Sequence, residues 1–167
     1  TVYQRLLTSD ARRTVARRIF LRLVQFGAGR PDTRRQQTLA ELRQGLDAGT
    51  DGGQPFDAVL DALTANRLLT LTDGERRVDL SHEALLAGWP LLRQWIDERR
   101  TAEMTRRRLE EKADERQRLR QSDPSAGLLD VVELAEASAW LAGPDAAELG
   151  ASDALKTLVA DSRAAIE

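Results

Sequence analysis

The 167 residues contain no cysteine and only one histidine, His82. Lacking cysteine, the chain has neither disulfides nor thiolate metal sites, which fits a reducing compartment. With one histidine, a zinc site would have to lean on carboxylates, an uncommon arrangement. No apolar run approaches the roughly 18 residues that a transmembrane helix needs, and no signal-peptide pattern opens the chain. No membrane segment is expected, and the default location is cytoplasmic. Lysine is scarce too: two residues among 25 basic ones, a bias that fits a GC-rich genome. The chain opens on Thr1 without a methionine, which suggests a piece of a longer protein.

Hydrophobic residues make up 41% and charged residues 31%, the balance of a globular protein rather than a disordered tail. The length suits one ordinary domain, or a small one with a helical extension. The net charge of −2 is unevenly distributed. Residues 1–35 carry +7, 36–98 carry −6, 99–120 carry +4 and 121–167 carry −7. Such blocks suit contacts between segments or with a larger parent protein as well as they suit nucleic acid.

Asp10 is placed to cap a first helix running to about Phe26, with Val15, Ile19, Leu23 and Phe26 on one face and Ala16, Phe20 and Val24 beside it. Arg12, Arg13, Arg17, Arg18 and Arg22 keep to the other faces. Gly27, Gly29 and Pro31 end the helix. A loop holding Asp32, Arg34 and Arg35 leads to Thr38, which opens a short helix with a capping box to Glu41 and with Leu39 and Leu42 inward. A loop at Gly49–Gly53 precedes a third helix from Pro55 to about Asn66, with Phe56, Val59, Leu60 and Leu63 on one side. Residues 68–72 and 76–80 read as a hairpin about Asp73-Gly74, with Glu75 lengthening the turn.

Three short helices followed by a hairpin is the order of a winged helix. The expected fold class is therefore mainly α: a winged-helix domain over 1–89, then a helical arm over 90–167. Ser81 is placed to cap a helix through SHEALLAGW, and Pro90 restarts or bends it. The pattern then runs through Leu91, Leu92, Trp95 and Ile96 into a long charged helix up to about Gln121. There the apolar positions thin to Ala102, Met104, Leu109, Ala113 and Leu119, the profile of an exposed helix or one lying on a partner. Asp123-Pro124 breaks it. A further helix spans Leu128 to Leu141, with Val131, Val132, Leu134, Ala135 and Trp140, until Gly143-Pro144 terminates it. The last segment, about 152–166, offers Leu155, Leu158, Val159 and Ile166.

No catalytic constellation can be assembled. His82-Glu83 lacks the second histidine of a zincin, since Leu86 stands there. Ser81 and His82 are adjacent and do not face each other as a Ser-His pair does. GAGR at 27–30 lacks the Lys-Ser/Thr of a P-loop and follows a helix. DNA binding is the rival reading, because winged helices often bind DNA. Yet the helix that would enter the groove carries Asp57 and Asp61 and no cation before Arg67, a poor phosphate-facing surface. Arg76 and Arg77 on the wing, and Arg34 and Arg35 upstream, leave only a minor backbone role. For His82 two readings stand side by side: a boundary residue without chemistry, or a donor to an anion where unsatisfied backbone N–H groups collect.

Three segments carry a resemblance: RRIFLRLVQFGAGRPDTRR at 17–35, Leu60, Leu63 and Arg67-Leu-Leu-Thr70, and VDLSHEALLAGWPLLRQWIDERR at 78–100. They resemble the region after the nucleotide-binding core in bacterial STAND proteins, signal-transduction ATPases related to the NACHT and apoptotic or plant-resistance ATPases. The nearest group is novel STAND NTPase 1, whose members frequently continue into WD40 propellers or other repeat sensors. RRRLEEKADERQRLR and GLLDVVELAEASAWL resemble the helical linker that follows. The resemblance implies a winged helix packed on an upstream nucleotide-binding domain, with a downstream repeat or sensor domain as second partner. It implies ATP or ADP and Mg²⁺ in the parent protein, none in this chain, and leaves oligomerisation of the parent open. It makes His82 a resting-state nucleotide sensor, with Glu83 where aspartate is commoner and Ser81, the hairpin, Trp89 and Trp95 as its support. Arg34 and Arg35 match a recurring family feature, and with Arg76 and Arg77 they are the interdomain basic candidates. Gly88 stands where a larger residue is usual, which loosens the junction with the arm. With no Walker A and no acidic Mg²⁺ site, the chain is not expected to be an enzyme, although its parent is expected to be an ATPase.

Overall fold

The computed structural model describes residues 10–46, 54–74 and 76–167. The expected loop at 49–53 and the expected effect of Glu75 on the hairpin turn lie outside the described residues. The chain is mainly helical with small antiparallel sheets, and it divides into two compact units, Thr1–Arg99 and Arg100–Glu167.

In the first unit, α1 (Asp10–Arg22) buries Val15, Ala16, Ile19, Phe20 and Leu21. It stops four residues short of the expected Phe26. Leu23 N–H closes on the Phe20 carbonyl at 3.1 Å, and the chain then turns into β1 (Val24–Gln25), antiparallel to β2 (Thr33–Arg34). The turn between them locks this exit. Gly27 N–H donates to Asp32 Oδ1 at 2.8 Å, and a Cβ at Gly27 would lie 1.9 Å from the Arg30 carbonyl oxygen. Val24 and Phe26 are buried all the same, so strand pairing overrides the helical period without exposing them.

β3 (Gln37–Thr38) leads into α2 (Leu39–Arg43), where the Thr38–Glu41 capping box forms. Leu42 is fully buried and Leu39 only half-buried. Helix α3 (Gln54–Ala65) packs on α1 through Phe56, Val59, Leu60 and Leu63. A Schellman closure ends α3: Leu68 N–H reaches the Leu63 carbonyl and Arg67 N–H that of Thr64, both at 3.0 Å, with Arg67 at φ 61. β4 (Leu69–Thr72) and β5 (Arg77–Leu80) form the expected hairpin, Leu69 opposite Leu80 and Thr72 opposite Arg77. Asp73 and Gly74 both adopt positive φ at the turn. β3 pairs on the other edge of β5, giving the order β3-β5-β4. Leu69, Val78 and Leu80 face the core.

Helix α4 (Ala84–Gly88) and the long α5 (Pro90–Leu119) follow. From Arg100 onward α5 belongs to the second unit, with α6 (Val131–Ala142), α7 (Pro144–Leu149) and α8 (Asp153–Ile166). The charged part of α5 is not simply an exposed rod. Leu109 and Ala113 are buried with Leu129, Ala137, Leu155, Leu158 and Val159 in the core of this unit. Arg108 pairs with Glu136, and Lys112 Nζ with Glu133 at 2.5 Å, lacing α5 to α6.

Val131 and Val132 do not join that core and are 66% and 77% exposed. Asp130 caps α6 immediately before them, so they lie in the first turn, ahead of the face that buries Ala137 beside Leu134 and Leu141. Ile166 is exposed as well. Gly143-Pro144 ends α6 as expected but at once starts α7, because proline at the first helical position loses no bond that the helix would use.

Candidate functional site at the hairpin–helix junction

Of the residues singled out in the sequence, Ser81, His82 and Glu83 lie on the passage from β5 to α4, and Arg34 reaches it. Ser81 is not the helix cap it was expected to be. Its N–H donates to the Leu68 carbonyl at 3.0 Å and its Oγ meets Thr70 Oγ1 at 3.0 Å, so hairpin pairing continues one residue beyond β5 and holds the hydroxyl. Glu83 takes the N-cap position with helical backbone angles and no side-chain capping bond. Leu85 N–H closes on the His82 carbonyl at 3.2 Å and Leu86 N–H on that of Glu83 at 3.0 Å. His82 therefore sits on a short bridge between strand and helix. Its side chain is exposed, and among the described residues it has no hydrogen-bond or ion-pair partner.

Arg34 reaches this bridge from β2. Its Nη1 donates to the Leu80 carbonyl at 3.1 Å, its Nε to Glu83 Oε1 at 3.2 Å, and Asp79 lies 4.0 Å away. The other basic candidates have different partners from Arg34. Arg35 N–H is held by the Leu23 carbonyl, and the positive charges of Arg35 and Arg77 act on Glu41. Arg77 also pairs with Asp73 at 3.7 Å, and the Arg76 carbonyl receives Leu39 N–H at 2.7 Å. The Glu41 carboxyl is held below its ordinary pKa, first by the backbone N–H of Thr38 and then by the Thr38 hydroxyl.

Below the bridge, Trp89 packs edge-on to Phe20 at 5.0 Å and to Trp95 at 5.5 Å. The junction between α4 and α5 is thus fastened to α1 by aromatic rings. Gly88 has nothing within 4 Å of where a Cβ would lie, so its missing side chain relieves no clash.

Two participants escaped the sequence reading. Asp79 alternates with the inward Val78 and Leu80, and its Oδ1 accepts Leu80 N–H at 2.8 Å. Arg22 is buried beneath the first unit's surface, where Nη1 donates to the carbonyls of Leu42 at 3.1 Å and Gln44 at 2.5 Å. Its position beside Leu21 and Leu23 at the end of a helix was the available signal, since an arginine there can cross to carbonyls on a neighbouring element.

Among the described residues no group of three or more His, Asp or Glu side chains is placed to hold a metal ion, and no helix is long and apolar enough to cross a membrane.

This mainly helical chain, with its exposed histidine on a tethered bridge, matches the family model for novel STAND NTPase 1 over residues 1–124. That is about three quarters of its length, and the chain belongs to that family. The match ends at Pro124, so α6, α7 and α8 lie outside it, although the resemblance read from the sequence extended over them. No curated protein and no solved structure matches the chain.

Proposed function

We propose that the chain is a non-catalytic relay within a STAND-class signalling ATPase, and that α1, α2, α3 and the β4–β5 hairpin act as a winged-helix module of the kind found in NACHT-related proteins. In this reading it couples an upstream nucleotide-binding core to a downstream repeat or sensor domain through changes in packing. ATP or ADP and Mg²⁺ belong to the upstream core, and His82 contacts a nucleotide phosphate in the resting state. The observation that carries the reading is His82 itself: exposed and unpartnered among the described residues, on a bridge whose other residues are tied down.

The test is His82→Ala in the full-length protein. Faster ADP release and a shifted resting population are expected, while the stability of the variant stays within about 0.5 kcal/mol of the parent. Unchanged ADP retention together with unchanged signalling sinks the sensor role. The DNA-binding alternative is less well supported, since α3 exposes Asp57 and Asp61 and the neighbouring cation, Arg43, is engaged by Asp57 at 2.8 Å. A salt-dependent shift with duplex DNA, abolished by replacing Arg76 and Arg77, would reverse that preference.

A further inference from the structure

The two arms of Arg34 end on Leu80 and Glu83, the residues that bracket Ser81 and His82. The base of this arginine is fixed from β1, and its own N–H also lies 3.5 Å from Glu83 Oε1, a long contact that Arg34→Ala leaves in place. Its backbone pairs with Val24, the next residue's N–H is held by Leu23, and the turn behind it is closed by Gly27 and Asp32. A planar guanidinium on a fixed strand can hold two acceptors at a set separation, which a lysine ammonium does not do. The Glu83 arm is open to solvent, with the side chains of Arg34 and Glu83 37% and 55% exposed. An ion pair so placed is screened by salt and opened by a competing charge. The Leu80 arm is partly buried and less accessible.

We propose that Arg34 is the positioning residue of the His82 bridge: a releasable clamp on Leu80 and Glu83 that holds the imidazole outward. The proposal rests on reading His82 as the working residue. It adds that the geometry of His82 is set from β2, through a contact that salt or an anion can undo. Arg34 acts through the bridge and not on a ligand.

The test uses backbone ¹⁵N relaxation on the 167-residue chain. In Arg34→Ala the order parameters at His82 and Glu83 should fall from about 0.85, a rigid backbone, to below about 0.6, while β4 and β5 keep theirs. Arg34→Lys should not restore them. Glu83→Ala, which leaves the Leu80 arm in place, should loosen the same two residues by less, and about 1 M salt should loosen them in the wild type but not in Arg34→Ala. Unchanged order at 82–83 in Arg34→Ala overturns the proposal. If that variant loosens the whole unit, Glu83→Ala decides: an unchanged bridge there overturns it too. The sensor reading fails separately. A loosened bridge in Arg34→Ala with wild-type ADP retention in full-length His82→Ala leaves the clamp standing and removes the sensor.

Discussion

Replacing Trp89 by alanine tests whether the junction is held by ring packing. Phe20, Trp89 and Trp95 all lie in the first unit, with both ring pairs edge-on at 5.0 and 5.5 Å. Truncating a fully buried aromatic costs about 3–5 kcal/mol. Trp89 is half-buried, which brings its share to roughly 2 kcal/mol, and the two ring pairs place the expected loss at about 2–3 kcal/mol. Trp89→Phe keeps an aromatic ring in place and should lose only about 1 kcal/mol. Three tryptophans occur in the chain, and the third, Trp140, is in the second unit. In a Trp140→Phe background, urea unfolding followed by tryptophan fluorescence then reports the first unit alone, through Trp95 in the Trp89 variants. A loss below about 0.5 kcal/mol for Trp89→Ala, within the range of ordinary surface substitutions, would refute the reasoning. So would equal losses for alanine and phenylalanine, since the cost would then not come from ring contacts.

Removing the α2 cap with Thr38→Ala should lower stability by about 1 kcal/mol at neutral pH, read from urea melts. Only the bond from the Thr38 hydroxyl to the Glu41 carboxylate titrates: it is complete above the ordinary glutamate range and fades as pH falls through the folded-state value. The gap between the two proteins should therefore narrow in acid but not close, because the lost bond from Glu41 N–H to the hydroxyl does not titrate and the variant keeps the backbone N–H of Thr38. Gly88→Ala should stabilise by about 0.5–1 kcal/mol in a thermal melt, since the site is helical and a Cβ meets nothing there. Destabilisation would show that Gly88 has a purpose beyond a flexible helix end. In the second unit, Val132→Lys should change stability by less than about 0.5 kcal/mol, whereas Leu158→Ala should cost about 2–5 kcal/mol.

Local features were legible in the sequence and long-range ones were not. The buried face of α3, the Thr38–Glu41 box and the hairpin at Asp73-Gly74 each depend on residues a few positions apart. The end of α1 could not be read, because β1 exists only through its pairing with β2 beyond a turn that Gly27 and Asp32 close. Ser81 looked like a cap because serine before a helical run usually is one; the competing hydroxyl of Thr70 lies across the hairpin. The charged α5 looked exposed because so few apolar positions remain there, and Leu109 and Ala113 find their core on α6 and α8. His82 and its neighbours could be singled out, but the contact that sets them could not. Arg34 and Glu83 are 49 residues apart, with no periodicity between them.

The junction thus combines a stiff base with a soft clamp. The aromatic contacts of Trp89 are worth a few kcal/mol and involve no charge, so they change little with salt. The clamp is one exposed ion pair, worth about 0.2–1 kcal/mol, and one hydrogen bond to Leu80, worth about 0.5–1.5 kcal/mol. Together that is on the order of 1–2 kcal/mol, within the usual range of coupling between two sites in one protein. A much stronger clamp would leave the bridge insensitive to any ligand of ordinary selectivity, and a weaker one would leave His82 unplaced. On these magnitudes, a rearrangement that reaches this module yields first at Arg34 and Glu83, while α4 and the start of α5 move as a body with the rings beneath them.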